Sequence, residues 1–472
     1  MEFREEQDFL GKAKVPANAY YGIFTVRASA NFRISHSRPR KNFIHMLALV
    51  KKSCAEANMA TGELDAKLGK AISQAAQEIA DGKFDSQFIL DSFTAGAGTP
   101  FNMNMNEVIA NRANELHGAP LGAYSPVHPN NHSNMSQSSN DVIPTAIRLT
   151  LLEESAKLAD EAGKLASAID ARAASFSSIV KAGRTHLMDA VPLTVGDELS
   201  AHSASLKEDI KRINDATNSL SELPIGGTAL GSGINTHPDY QKKVTERIAS
   251  NTGLRVSAGR NLFRLLSSSS DFLAYSSSQR SLAVSILKLS NDLKLLSSGP
   301  NTMVGEYILP EVEPGSSIMP GKVNPSVPEC AEMIANRVLG NDHSVLIAAA
   351  GGQLQLNVQT PLILHCLSSS NLLLTNCCLM LREQCITGLK INQKKIAQHL
   401  DASLISLTAL APYFGYAKMS EIVKKAQKEG ISIREAVLSE KLLASSEYDK
   451  LMSPSRLTRP SAKEKLGGKG KK

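Results

Sequence analysis

Eleven residues, Gly315-Ser-Ser-Ile-Met-Pro-Gly-Lys-Val-Asn-Pro325, bring two hydroxyls, a cation and an amide together among glycines and prolines. Glycine and proline suit a mobile, helix-breaking loop, and no apolar periodicity makes this stretch a core element. Lys322 and Asn324 can grip a carboxylate, while Ser316 and Ser317 can hydrogen-bond a second one or take part in proton transfer. The loop alone points to an anionic substrate and names no reaction.

Three other segments carry more functional groups than a plain connector needs: Gly98-Thr-Pro-Phe-Asn-Met-Asn-Met-Asn-Glu107, Ser136-Gln-Ser-Ser-Asn-Asp141 and Gly183-Arg-Thr-His-Leu-Met-Asp189. Each is expected beside a helix start, where unpaired backbone N–H groups favour anions. Singly, such a cluster is a cap or a turn; four together argue for a binding site. His128-Pro-Asn-Asn-His132 has the i, i+4 spacing of a metal pair, but Pro129 and two asparagines predict a turn rather than a helix face.

Long helices are expected to position these segments. Leu151, Ser155, Leu158, Ala162, Leu165, Ile169 and Phe176 follow three- and four-residue steps, with Arg172 in one place of the series. Leu282, Ile286, Leu289, Leu293 and Leu296 repeat the spacing, as do Val195, Leu199, His202, Leu206, Ile213, Thr217 and Leu220. Such stripes belong to helices packed at shallow angles, and their many Ala and Ser residues let axes approach closely. Asn140-Asp-Val-Ile-Pro144 supplies a cap and a proline for a helix start. His202 lies on its stripe, which predicts a satisfied core histidine.

Composition narrows the class. A chain of 472 residues exceeds one ordinary domain, and 42% hydrophobic with 21% charged residues describes a soluble globular protein. No stretch is expected to reach the length of a membrane span, and the start Met1-Glu-Phe-Arg lacks a signal-peptide core, so a cytoplasmic location is expected. The six cysteines form no CxxC pair and read as buried free thiols in a reducing compartment. The net charge of +7 raises the question of nucleic acid, but the tail Lys463–Lys472 holds five lysines against one glutamate and so supplies +4 of it. The tail reads as solvated and disordered, and without interleaved aromatics no nucleic-acid partner is expected.

The four segments, in this order and at these separations, resemble the aspartase/fumarase superfamily over nearly the whole chain, most specifically at Gly315–Pro325. The resemblance implies a mostly α, three-domain subunit: an N-terminal domain (1–139), a central helical bundle domain carrying the 315–325 loop (140–394), and a small helical C-terminal domain (395–472). It also implies a homotetramer with active sites shared between subunits, a dicarboxylate substrate, and no metal or organic cofactor. Family members take a proton from the carbon beside a carboxylate and expel a group from the neighbouring carbon to give fumarate. The doubly charged intermediate needs positioned donors. Thr99, Ser138, Ser139 and Ser317 match the hydroxyl donors. Ser316 matches the general base, activated in a dry site on loop closure. Lys322 and Asn324 match the clamp on the other carboxylate, with Thr185 assisting. His186 matches the histidine on the leaving-group side, Glu329 its carboxylate partner, and Asn140 a leaving-group contact. His128 and Asn131 resemble a second, non-catalytic dicarboxylate site, with Asn131 standing where an aspartate is usual.

The resemblance favours deamination of L-aspartate: Tyr20-Tyr-Gly22, Ala95–Thr99, Leu295–Pro300, Gly352–Asn357 and Val327-Pro-Glu329 look like aspartases. Ser138-Ser-Asn140, Gly226-Gly-Thr-Ala229 and Thr236–Tyr240 look like fumarases, whose hydration of fumarate is the alternative. A catalytically silent scaffold, as in lens crystallins, is a remoter one, against which Ser316, Lys322, Asn324 and His186 are all present. Three departures bear on the substrate: Pro100 where Ser or Gln is usual, Ser139 without a threonine methyl, and Asn301 in place of an arginine.

Overall fold

Wherever apolar residues repeat at three- and four-residue steps, the chain is helical: Ser139–Ser175, Val195–Leu220 and Ser270–Leu296, followed by Ser326–Ala350 and Thr360–Leu381. The computed structural model describes residues 2–403 and 405–460. Within them the fold is mostly α and of the aspartase/fumarase type. It divides into two units, the described parts of Met1–Asp160, Asp209–Ala283 and Ile334–Thr375, and of Glu161–Glu208, Val284–Met333 and Asn376–Lys472. All five long helices contribute to both. The lysine-rich tail lies outside the described residues.

The stripes are the core. Leu151, Leu158, Ala162, Leu165 and Ile169 are fully buried, as are Leu282 and Ile286, with Leu289 and Leu293 nearly so. Burying a leucine stabilises by about 1.5–3 kcal/mol, so these rows dominate helix packing. Arg172 interrupts its row and donates through Nε to the Ile386 carbonyl (3.2 Å) and through Nη2 to that of Thr387. Its cation thus serves the end of another helix. His202 is ion-paired with Asp292 at 3.2 Å, a satisfied histidine as expected. The helix cap lies two residues earlier than the Asn140 cap expected from the sequence. The Ser138 hydroxyl accepts from Asn140 N–H (3.2 Å), and Asp141 accepts from Ser138 N–H (2.9 Å). Ser138 is therefore the cap, in a reciprocal box, and Pro144 lies inside the helix.

Polar residues cross-link the first unit. Glu154 accepts from Ser368 (2.8 Å) and Asn371 (3.1 Å), Tyr275 donates to Asn371 (2.7 Å), and Ser276 donates to Asp342 (2.7 Å). These bonds explain a correction. Thr360–Ile386 contains an 18-residue window of mean hydropathy 1.4, long and apolar enough to cross a membrane by composition, contrary to the expectation that no stretch is. Its Ser368, Ser370 and Asn371 are nevertheless buried and bonded to protein, which marks a core helix.

A second correction concerns Gly183–Asp189, which is not beside a helix start. Val180–Thr185 and Met188–Thr194 pair as an antiparallel hairpin with Thr185 opposite Met188. The turn places both His186 (φ 56°) and Leu187 (φ 60°) in the left-handed region, as a two-residue hairpin turn requires. A Cβ on Gly183 would lie 2.3 Å from the Val191 carbonyl oxygen, so only glycine fits the close strand contact there.

The hairpin stem is pinned by a buried carboxylate. Glu306 is fully buried; Arg184 Nη2 donates to its Oε1 (2.7 Å), Lys181 Nζ lies 2.9 Å from its Oε2, and the His399 Nδ1–H is 2.8 Å from Oε1. Burial alone would raise this carboxyl, but Arg184 and Lys181 outweigh it and hold it down at about 2. Lys181 is shared with Glu198, which also accepts from Tyr307 (2.6 Å). Beyond the hairpin, Leu410, Met419, Ile422, Ala436, Val437 and Tyr448 form a separate apolar cluster among short C-terminal helices. All six cysteines are free; burial pushes Cys54, Cys377 and Cys385 up to about 12, so they stay thiols.

Glu306→Gln leaves Lys181 and Arg184 short of a buried counter-charge, and we expect a loss of about 3–5 kcal/mol in stability at pH 7, measured by denaturant unfolding. The folded carboxyl is depressed, so its contribution is present above its unfolded value of about 4.3. It is lost as pH falls through about 2. The gap between wild type and variant should therefore close in acid; a pH-independent gap would contradict the assignment.

Candidate active site

In the first unit, Thr99 opens the Thr99–Leu116 helix and Pro100 occupies its first turn, where no intrahelical N–H is needed. The chain enters through Ala97 (φ 59°) and Gly98 (φ 71°), and a Cβ on Gly98 would lie 2.9 Å from the Ile143 side chain. Thr99, Glu107, Tyr124 and His128 are among the residues lining a cavity of 680 Å³. Glu107 accepts from the N–H groups of Gly22, Phe24 and Thr25 and from the Thr25 hydroxyl. Burial still pushes it up to about 7.

Ser138, Ser139 and Asn140 form the cap and first turn of the Ser139–Ser175 helix. Asp141 beneath them is fully buried and accepts from the N–H groups of Ser138, Gly226 (3.1 Å) and Thr228 (2.9 Å). Asn140 Nδ2 donates to the Ala229 carbonyl at 2.7 Å. A carbonyl can only accept, so this bond fixes the amide with Oδ1 on the other side. No described residue donates to that Oδ1.

One supporting residue escaped the sequence reading. Lys51 is fully buried in the Lys41–Thr61 helix and donates to Asn134 Oδ1 (3.0 Å) and Gln137 Oε1 (2.8 Å). Asn134 Oδ1 also accepts from Asn102 (3.1 Å) and Asn106 (3.2 Å), and Asn102 donates onward to Ser139 Oγ (3.1 Å). Burial pulls the Lys51 amine down to about 7 and pushes Asp141 up to about 7. The available signal was weak: Lys51 and Lys52 directly follow the apolar run Met46–Val50, and nothing in the run itself says which of the two is buried.

His128-Pro-Asn-Asn-His132 is not the simple turn its composition indicates: Pro129–Ser133 winds one turn of π-helix with His128 as its cap. His128 Nδ1 accepts from the N–H groups of Asn130 (3.1 Å) and Asn131 (3.3 Å), and His132 Nδ1 accepts from His128 N–H (2.8 Å). Both rings are lowered by burial and carry their proton on Nε2. Asn131 is exposed.

In the second unit, Thr185 and His186 stand exposed at the hairpin tip, beside exposed Leu187 and Met188. Gly315–Pro325 takes no regular structure and organises itself. Ser316 Oγ accepts from the N–H groups of Ile318 (3.2 Å) and Met319 (3.0 Å), Gly315 N–H donates to the Lys322 carbonyl (2.8 Å), and Asn324 Nδ2 donates to the Gly315 carbonyl (2.7 Å). Ser316 and Asn324 are half-buried, while Ser317 and Lys322 are exposed. Glu329 is exposed in the first turn of the following helix. Within the chain it makes no ion pair with His186. Ser138, Ser139 and Asn140 thus come together in one unit and Ser316, Lys322 and Asn324 in the other.

Comparison with known proteins identifies the family. A family model described as Lyase matches residues 11–340, and one described as Fumarase C C-terminus matches residues 407–459. Aspartate ammonia-lyase of Bacillus subtilis is 40% identical, with 97% of each chain covered. Aspartate ammonia-lyase of Pseudomonas aeruginosa is 43% identical, again over 97% of each. Class II fumarate hydratase of Neisseria meningitidis is 41% identical over 98% of this chain and 100% of its own. Among solved structures, a fumarate lyase:delta crystallin from Brucella melitensis bound to cobalt superposes with a TM-score of 0.94 at 41% identity, covering 97% of this chain and 100% of that one. Class II fumarase of Schistosoma mansoni superposes with a TM-score of 0.92 at 35% identity, covering 96% and 98%. With its helical architecture and its Gly315–Pro325 loop, the chain belongs to the aspartase/fumarase superfamily of lyases.

Proposed function

We propose that this lyase deaminates L-aspartate to fumarate and ammonia by anti-elimination. The observation that carries the choice of leaving group is the orientation of Asn140. One N–H of its amide is held by the Ala229 carbonyl, and its Oδ1, to which no described residue donates, is left as an acceptor for the leaving group. An ammonium, which is all donor, is matched by that oxygen; a departing hydroxide needs a proton supplied to it. The Ser138-Ser-Asn140 pattern keeps fumarate hydration as the second reading, with His186 as the acid.

In the proposed reaction Ser316 Oγ takes the proton from the carbon beside the substrate carboxylate. The electron pair moves into that carboxylate to give the aci-carboxylate, then returns as the C–N bond breaks. A serine alkoxide is costly in water, and the two N–H groups aimed at Ser316 Oγ favour the charged form. Loop closure would supply the dry environment. Thr99, Ser138, Ser139 and Ser317 are assigned to the developing charge. Lys322 and Asn324 clamp the other carboxylate, with Thr185 assisting; one Asn324 N–H also holds the loop neck. His186 lies on the leaving-group side, with Glu329 as its partner. Exposure of Thr185, His186, Lys322 and Glu329, beside exposed Leu187, Met188 and Ile318, supports an active site completed by other subunits of a homotetramer. His128, through Nε2–H, and Asn131 are assigned to the second dicarboxylate site. The three-part division at 139/140 and 394/395 and a cytoplasmic location belong to the same reading.

Supplying aspartate or malate and following fumarate absorbance separates the two reactions. Fumarate from aspartate alone is expected; fumarate from malate alone would overturn deamination. Ser316→Ala should lower kcat by orders of magnitude while sedimentation shows unchanged assembly, and near-normal turnover would remove Ser316 as the base. Asn134→Ala removes the acceptor shared by Lys51, Asn102 and Asn106, and each buried donor left unpaired costs about 1–3 kcal/mol. We expect a lower melting temperature and, through Ser139, a reduced kcat/KM; a stability loss without any kinetic change would limit the network to folding.

A further inference from the structure

Outside the residues assigned above, the first unit holds a cavity of 190 Å³ whose lining includes Arg38, Arg40, Ser92, Phe101, His365 and Ser369. Its charges are unusually available. Arg38 is exposed and has no hydrogen-bonded or ion-paired partner among the described residues. Arg40 makes no hydrogen bond either: its nearest carboxylate oxygen, on Glu154, is 3.5 Å from Nε, and that Nε–H is buried without an acceptor. By contrast Arg27, Arg112 and Arg148 hold carboxylates at 2.7–2.8 Å. A third guanidinium, Arg337, is close enough to help lower His365, after burial, which is the larger cause.

Asp91, near His365, and Glu154, near Arg40, already accept from other donors. Asp91 accepts from the N–H groups of Ile34, Ser35, His36 and Phe93 and from the Ser35 hydroxyl. Glu154 accepts from Ser368 and Asn371. Two lining guanidiniums, with Arg337 near His365, therefore stand against two carboxylates whose oxygens already have donors. Pro361, in the first turn of the Thr360–Leu381 helix, also lines the cavity, so the positive end of that helix adds to the same sign. Guanidinium forks match tetrahedral oxyanions bidentately, and the volume is below the 300 Å³ or so of a drug-sized pocket.

We propose that the Arg38–Arg40 cavity is a binding site for a phosphate group, either free phosphate or the head of a small phosphomonoester. Arg38 and Arg40 bind the oxyanion, the Ser369 hydroxyl donates to it, and Phe101 with Leu364 offers an apolar wall to any organic part. Phe101 lies two residues beyond Thr99 in the same helix, so the ligand would sit on an element of the catalytic unit without touching a residue assigned to catalysis.

Calorimetric titration of the purified, assembled protein with inorganic phosphate and with phenyl phosphate, at an ionic strength matched with chloride, tests the site. Saturable binding is expected; tighter binding of phenyl phosphate identifies a phosphomonoester, and equal binding identifies free phosphate. Arg38→Gln, which removes charge, and Ser369→Leu, which fills the cavity, should each weaken binding at least tenfold. Lyase turnover without phosphate should stay within twofold for Arg38→Gln, which also establishes that the variant folds. Lys322→Ala should leave phosphate binding unchanged whatever it does to catalysis. No saturable binding, binding unaltered in both cavity variants, or binding lost in Lys322→Ala would overturn the proposal.

Discussion

The buried carboxylate of Asp141 is the point on which the first unit's functional groups depend. A fully buried carboxylate is tolerated only when its oxygens are occupied by donors. Here the donors are the backbone N–H groups of Ser138, Gly226 and Thr228. One side chain thereby fixes the helix cap and the Gly226–Ala229 turn together. Asn140 then reaches across to Ala229, and its orientation follows from that turn. The chemistry offered to a leaving group is thus set by an ionisable residue that does not touch it.

The second unit solves the same positioning problem with cations. Glu306 gathers Lys181, Arg184 and His399 at the base of the hairpin whose tip carries Thr185 and His186. Buried ion groups of this kind contribute little net stability but are costly to break, which holds the stem in a single arrangement. The Gly315–Pro325 loop is organised mostly from within, by Ser316, Gly315, Lys322 and Asn324, and leaves Ser317 and Lys322 exposed. A hairpin pinned at its stem and a loop braced chiefly by its own bonds suit a site that must admit a substrate and then exclude water.

Much of this was legible in the residues. The helical stripes appeared as core because a 3.6-residue period survives tertiary packing unchanged, and His202 proved satisfied where its stripe placed it. Pro129 and the asparagines indicated a turn at His128–His132, where the chain instead winds one π-helical turn over Pro129–Ser133. The errors have equally specific causes. Gly183–Asp189 is a hairpin because strand pairing across the turn is a non-local choice that a local polar cluster does not reveal. The cap moved from Asn140 to Ser138 because both residue types cap helices and only the Asp141 partnership decides between them. Thr360–Leu381 is apolar enough for a membrane and is instead held by Glu154, a residue more than two hundred positions away in sequence.

The sequence by itself determined the helical class and, through the Gly315–Pro325 loop and its three companion segments, the lyase family. The first depends on the spacing of apolar residues, the second on resemblance to known members of the family. Tertiary structure decided what each polar group has left to offer. Whether an asparagine presents its oxygen or its nitrogen depends on a distant partner, as do the counter-charge left to an arginine and the protonation of a lysine at pH 7. Asn140, Arg38 and Lys51 are ordinary letters in the chain, and each takes its chemistry from neighbours that only the folded protein brings within 3 Å or so, the reach of a hydrogen bond.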